Sequence, residues 1–345
     1  MSRLFSAVSV LALVPGLSLA EATPQGAADL TALFQSYLGS TPGVVNVTAE
    51  GATYAVTLDA APLFAMIPGE AGVTATLTPQ KMQLTDNGDG TWGVTQDQPI
   101  AMKVSIPGAL DMTIDVARAA CTGTFDAALM AFSQNDCVLD NMTINQTVTD
   151  PLAGEQVTNS SLVQMVWKST ATPGASGGVD GTQVYSVTGV NQTMDMPFEP
   201  GAPPITIALT MDSYAVDGTT TGVRPEAFLG ALAWFVANPG EAAMLANRGE
   251  LKSILERNLP LFDKISAVGT GSNLSVMTPV GPVTAAAVGF DIELAGAVEN
   301  GLFREAIRLT GVTPPPGVLP PFLEPLLPTD ASIDFAVESF DAKAA

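Results

Sequence analysis

The chain has 345 residues, with 34 acidic and 13 basic side chains, a formal net charge of −21 and no histidine. That balance argues against nucleic acid and anionic surfaces as partners. The missing imidazole excludes Ser-His-Asp and Cys-His catalysis and every histidine-based metal site.

Residues 1–22 read as a secretory signal peptide. Arg3 supplies the positive start, residues 5–19 form a short apolar core broken by Pro15 and Gly16, and Ser18, Ala20 and Ala22 supply small residues for cleavage. The run falls short of the roughly 20 residues of a membrane span. No other segment is long enough, so no integral span is expected. No cysteine follows the cleavage region, which argues against a lipid anchor. The expected location is the periplasm of a Gram-negative bacterium. Cys121 and Cys137 are the two cysteines, and in an exported chain they are expected to form a structural disulfide worth about 3 kcal/mol.

After the signal, Leu30, Leu33, Phe34, Tyr37 and Leu38 recur at helical spacing and Gly39 offers a stop. The period then changes to two. Tyr54, Val56 and Leu58 alternate with polar or small residues, followed by Val73, Ala75 and Leu77, by Met82 and Leu84, and by Trp92 and Val94. Ile100, Met102, Val104 and Ile106 lead through Pro107-Gly108 into Leu110, Met112, Ile114 and Val116. Such alternation marks antiparallel strands with one apolar and one wet face. The segment between the cysteines reads as a loop with a short helix. Further strands are expected at 142–148, 162–167, 184–190 and 205–216, with a flexible loop at 171–182. From Arg224 the chain turns helical, with Pro225 at a first turn and helices through 226–265. Strands return at 274–277 and 283–294, a helix is expected at 301–311, residues 312–328 are a proline-rich crossing, and 332–340 form a last strand.

The expected fold is therefore α+β and β-rich: a long, twisted, mainly antiparallel hairpin meander with a few helices on its apolar face. Residues 23–223 hold the first helix and a meander with one disulfide. Residues 224–345 hold a helical segment followed by strands of the same or a second related sheet.

No motif carries catalysis. Gly174 to Gly178 match G-x-S-x-G in letters, but Ser176 sits in a Gly/Ser/Pro loop with no base available. Asp291 and Glu293 share a strand face, as do Asp111 and Asp115, and acidic residues on a solvent face account for both pairs. The run Asp86-Asn87-Gly88-Asp89-Gly90 resembles a calcium loop. It puts glycines where an EF-hand needs oxygen ligands, and it lies between alternating strands. It is expected to be a hairpin turn. No metal and no cofactor are expected. Phe228, Leu232, Trp234 and Phe235 lie on a helix with little polar surface, and they are the candidate apolar lid of a ligand groove.

The early helix after Thr23-Pro24-Gln25, the stretch LTDNGDGTWGVT and the strand turn TPVGPVTA give the chain a pattern similar to a family of exported alphaproteobacterial proteins known only as a domain of unknown function. The resemblance implies an envelope location and transfers no catalytic residues. The expected activity is non-enzymatic: binding of a lipid-like ligand, or of an envelope protein partner, along the apolar sheet face. An acidic assembly module is the alternative, and a carboxylate hydrolase ranks last.

Overall fold

The computed structural model describes residues 21–345 apart from 67–71, 151–153, 198–204, 239, 258, 297–300, 319, 321, 324–325 and 341–345. Residues 1–20, and with them nearly all of the stretch expected to be a signal peptide, lie outside the described residues. Among those described, no helix is long and apolar enough to cross a membrane.

Helix α1, Pro24–Leu38, starts where Thr23 accepts the Gly26 amide at 3.0 Å and Pro24 fixes the first turn. It ends at Gly39, whose φ is 82°. Its apolar side buries Ala27 and Leu30 against Tyr54, Val56 and Leu84, with Trp92 and Val94 packed alongside. The strands under it are β1 (Val45–Glu50), β2 (Thr53–Leu58), β4 (Gln80–Asp86) and β5 (Thr91–Ile106); a short helix α2 (Ala61–Phe64) and strand β3 (Thr74–Leu77) lie between β2 and β4 in sequence.

The meander continues through β6 (Leu110–Asp126), β7 (Ala131–Asp150), β8 (Gly154–Pro173), β9 (Val179–Met196) and β10 (Ile205–Val223). Helices α3 (Pro225–Ala237) and α4 (Glu241–Arg257) intervene before β11 (Lys264–Thr278), β12 (Gly281–Ala295), β13 (Gly301–Thr310) and β14 (Asp330–Phe340). All pairing is antiparallel, in one 14-stranded sheet ordered β1-β2-β4-β5 and then consecutively to β14, with β3 also paired to β5. Because β10 pairs directly with β11, the sheet runs unbroken past the helical segment. A 20-residue strand such as β7 spans about 66 Å at roughly 3.3 Å per residue.

Four expectations about elements are corrected. The helices expected through 226–265 end at Arg257, and Lys264 and Ile265 already belong to β11. The segment between the cysteines is neither a loop nor a helix. Strands β6 and β7 run on past the disulfide and turn at residues 127–130, where Asp126 accepts the amides of Ala128 and Leu129, and Phe125 meets Phe132 edge-on at 5.6 Å. The loop expected at 171–182 shrinks to 174–178, because β8 and β9 pair as far as Pro173 and Val179. Residues 301–310 are strand β13. Leu302, Phe303, Ala306 and Leu309 lie close to helical spacing, but the segment is laddered on both sides, to β12 and to β14. Two sets of backbone hydrogen bonds outweigh a local preference.

A seam crosses the long strands at one level. In β6, β8, β10 and β12 two consecutive residues are exposed there: 117–118, 163–164, 212–213 and 286–287. In the intervening strands a residue of positive φ occupies the same level: Asn141 (50°), Gly189 (63°) and Asn273 (54°). The parity of the sheltered positions changes at this line, from Ala119 and Cys121 to Val116 and Ile114 in β6, and from Tyr214 and Val216 to Met211 and Leu209 in β10. An extra residue in one strand flips its alternation. Here neighbouring strands carry the extra residue at the same level, so pairing resumes with the same register on both sides.

Candidate functional site

Register builds the site. Cross-strand partners follow one another in a single row from β6 to β14: Cys121, Cys137, Trp167, Tyr185, Val216, Gly269, Phe290, Ile307 and Ile333. Direct partners share a sheet face, so this row is one apolar line across the sheet. Tyr214, one row away, stands 6.3 Å from Tyr185 and stacks on Phe290 at 5.7 Å with an interplanar angle of 17°. Strand β11 lies between them and contributes only Gly269 and Gly271 there, and Phe290 lies over the bare backbone of Gly269. Burial, together with the neighbouring Tyr185 phenol, raises the pKa of the Tyr214 hydroxyl, so the ring stays neutral.

The first helix covers this face only at its beginning. The cluster around α1 takes in Trp92 and Val94 of β5 and no residue from β6 onward. Beyond it lies a trough of about 600 Å³ whose walls include Val94, Phe132, Cys137, Trp167, Val179 and Pro225. Trp167 is 41% exposed and Phe132 38%, although both sit among buried neighbours such as Cys137 and Val179. The one buried polar side chain in the wall, Asn135, is turned to the disulfide, with Nδ2 3.5 Å from Cys137 Sγ. The disulfide joins direct cross-strand partners, with Cα atoms 4.1 Å apart.

The opposite face is wet and carries the ion pairs. A second concavity of about 850 Å³ is lined there by Thr48, Glu50, Lys81, Thr95, Asp97 and Arg118, among others. Arg118 grips Asp97 through two hydrogen bonds, of 2.8 and 2.7 Å. That contact lowers the Asp97 pKa and raises that of Arg118. Lys168 pairs with Asp136 at 2.9 Å. The candidate carboxylates also lie on this side: Glu293 pairs with Lys264 at 2.7 Å and Asp291 with Arg308. Each faces its own cation, so the two do not form an acid/base couple with separated roles. Asp111 and Asp115 are exposed on their strand. Exposed pairs of this kind are screened by water and contribute little to stability.

The remaining candidates fall as follows. Residues 87–90 form a hairpin turn: Asp86 accepts the Gly88 amide at 2.8 Å, and Asp89 accepts both the amide and the hydroxyl of Thr91. The Thr91 hydroxyl is the first cause of the lowered Asp89 pKa. Gly88 and Gly90 take φ of 79° and 88°, as the turn requires. Ser176 of the G-x-S-x-G match donates to Asp263, which also meets Arg224 at 3.2 Å. On α3 the four lid candidates point two ways. Trp234 is buried at 5% exposure, and its indole Nε1 has no partner among the described residues. Phe228, Leu232 and Phe235 are 51%, 43% and 50% exposed. The helix packs on α1, where Val236 approaches Gly39, and on α4, where Ile254 approaches Gly230.

No protein-family model matches the chain, and neither the comparison with curated proteins nor that with solved structures finds a match.

Sequence reading found the small apolar residues of the face but not the row. Trp167, Tyr185, Val216 and Phe290 are far apart in sequence, and only strand register makes them neighbours.

Proposed function

We propose that the chain is a non-catalytic envelope protein that binds a lipid-like apolar ligand along the apolar face of its sheet. The observation that carries this reading is the row from Cys121 to Phe290, with the half-exposed Trp167 at the trough beyond the reach of α1. A concave apolar wall with few polar groups suits an acyl chain or another flexible hydrocarbon better than a charged metabolite. The wet face, with its carboxylates matched to cations, gives the molecule an acidic exterior that keeps an apolar-faced protein dispersed.

The signal-like residues 1–22 and the cysteine pair support export to the periplasm. The pattern at LTDNGDGTWGVT and TPVGPVTA supports membership of the alphaproteobacterial family of unknown function. On this reading the protein needs no cofactor and no metal.

Titration of the mature chain with a fluorescent fatty acid tests the reading. Saturable binding is expected, accompanied by a blue shift of tryptophan emission as Trp167 loses water. Trp167→Ala should weaken binding by about tenfold or more, the loss of one well-buried aromatic contact, while circular dichroism stays unchanged. No uptake by the native chain, or equal uptake by the variant, would defeat the proposal.

A further inference from the structure

Strand β14 is the last in the sheet order and pairs only with β13 among the described residues. Among the described residues its outer backbone groups therefore face no neighbouring strand. All its described side chains, 330–339, are exposed. Ile333, Phe335 and Val337 are 71%, 54% and 41% exposed, and Ile333 ends the apolar row described above. Asp330, Asp334 and Glu338 alternate with them on the opposite face, where Asp334 is 3.9 Å from Arg304.

Proteins normally blunt an open edge with short strands, charged side chains (lysine above all), proline or bulges. The other edge strand, β1, follows that habit with 6 residues. β14 has 11 residues with no lysine and no proline, and its charges are all acidic; its register shift, at Ser339 with φ 59°, falls at its very end, beyond the regular pairing from Leu302 and Glu338 to Thr310 and Asp330.

We infer that β14 is a docking edge that receives an extended segment of a partner protein in which apolar residues alternate with Lys or Arg. The free ladder supplies main-chain hydrogen bonds and Ile333, Phe335 and Val337 supply the apolar pockets. The acidic set on the other face selects cations in the cross-strand positions. A second copy of this chain fits poorly, because self-pairing would bring the acidic side chains of one strand against those of the other in a protein of net charge −21. This inference is independent of the ligand reading, since the edge is available whether or not the trough is filled.

The test uses the mature chain and two fluorescent peptides read by anisotropy, one alternating valine with lysine and the other valine with glutamate. The lysine peptide should bind at least about tenfold tighter, a gap of about 1.4 kcal/mol, and its affinity should fall with salt. Asp330→Lys with Glu338→Lys should reverse the preference, and Phe335→Thr should weaken binding of the lysine peptide. Fatty-acid uptake should be the same in all variants. Equal binding of both peptides, no saturation with either, or a preference unmoved by the charge reversal would overturn the inference. So would a concentration-dependent dimer in sedimentation that Phe335→Lys abolishes, because the edge would then serve a second copy.

Discussion

Phe290 lies across Gly269, its direct partner on β11, so closely that a methyl group on Gly269 would overlap the ring. The backbone of Gly269 is not in the left-handed region, so glycine is needed here for room and not for conformation. Only with that room does Phe290 reach Tyr214 across the intervening strand and stack on it.

Gly269→Ala should therefore displace Phe290 and destabilise the fold by about 1–3 kcal/mol, the usual cost of overpacking. Urea unfolding measures the loss. The near-ultraviolet dichroism of the tyrosines should change in the folded variant, because Tyr214 loses its stacked neighbour. Gly249→Ala, on α4 with open space around its position, should by contrast be neutral or slightly stabilising, through helix propensity.

The disulfide gives a second expectation. Cys121 and Cys137 are separated by 16 positions and already face each other in the β6–β7 ladder. Reduction, or replacement of both by alanine, should cost about 3 kcal/mol through the unfolded chain. The strands themselves should persist, because β6 and β7 are paired for their whole length on either side of the bridge. A thermal melt with and without reductant reads the cost, and far-ultraviolet dichroism checks the persistence.

The seam is testable at Asn141. Its φ of 50° is one that asparagine tolerates and a β-branched residue resists. Asn141→Gly should leave stability within about 1 kcal/mol of the parent, whereas Asn141→Val should lose about 1–2 kcal/mol. If valine is accepted freely, the left-handed residue is incidental to the seam. Asn273 lies on the same line, and its amide also donates to Asp212 at 2.7 Å, so its replacement by glycine should cost more than that of Asn141.

How much of this was legible in the sequence follows from the range of the forces involved. Tyr54, Val56 and Leu58 show the strand period within six residues, and α1 shows its stripe and its Gly39 stop, because those signals are local. The first half of β11, KISAVGTGSN, was not legible. Its inward positions carry alanine and glycine, which look like a loop until Phe290 is seen to need the space. Segment 301–310 misled for the opposite reason. Its spacing suits a helix, and the decisive contacts, such as Phe303 with Phe335 at 6.1 Å, come from a strand beyond the proline-rich crossing. The candidate site lies at the extreme of this trend, for no local pattern links Trp167 to Phe290.

The base of the helical segment carries the last expectation. The chain leaves the sheet at Arg224 and returns at Asp263, and the two ends are tied there. The Arg224 amide donates to Leu261 at 3.0 Å, the Asp263 amide donates to Thr221 at 2.9 Å, and the side chains of Arg224 and Asp263 meet at 3.2 Å. The Ser176 hydroxyl donates to the same carboxylate, and this bond, ahead of Arg224, holds the Asp263 pKa below the ordinary aspartate value. A depressed folded pKa means that the contact contributes fully at neutral pH and is lost as pH falls through the folded value, below the ordinary aspartate range. Limited proteolysis within 224–263 should accordingly accelerate only in that acid range for the native chain. Asp263→Asn should make the segment more susceptible already at neutral pH and remove its share of the acid sensitivity. Ser176→Ala should shift the onset of acid sensitivity upward, toward the unperturbed aspartate value, without opening the segment at neutral pH. An onset unmoved by Ser176→Ala would show that the ion pair with Arg224 alone sets the titration of this tie.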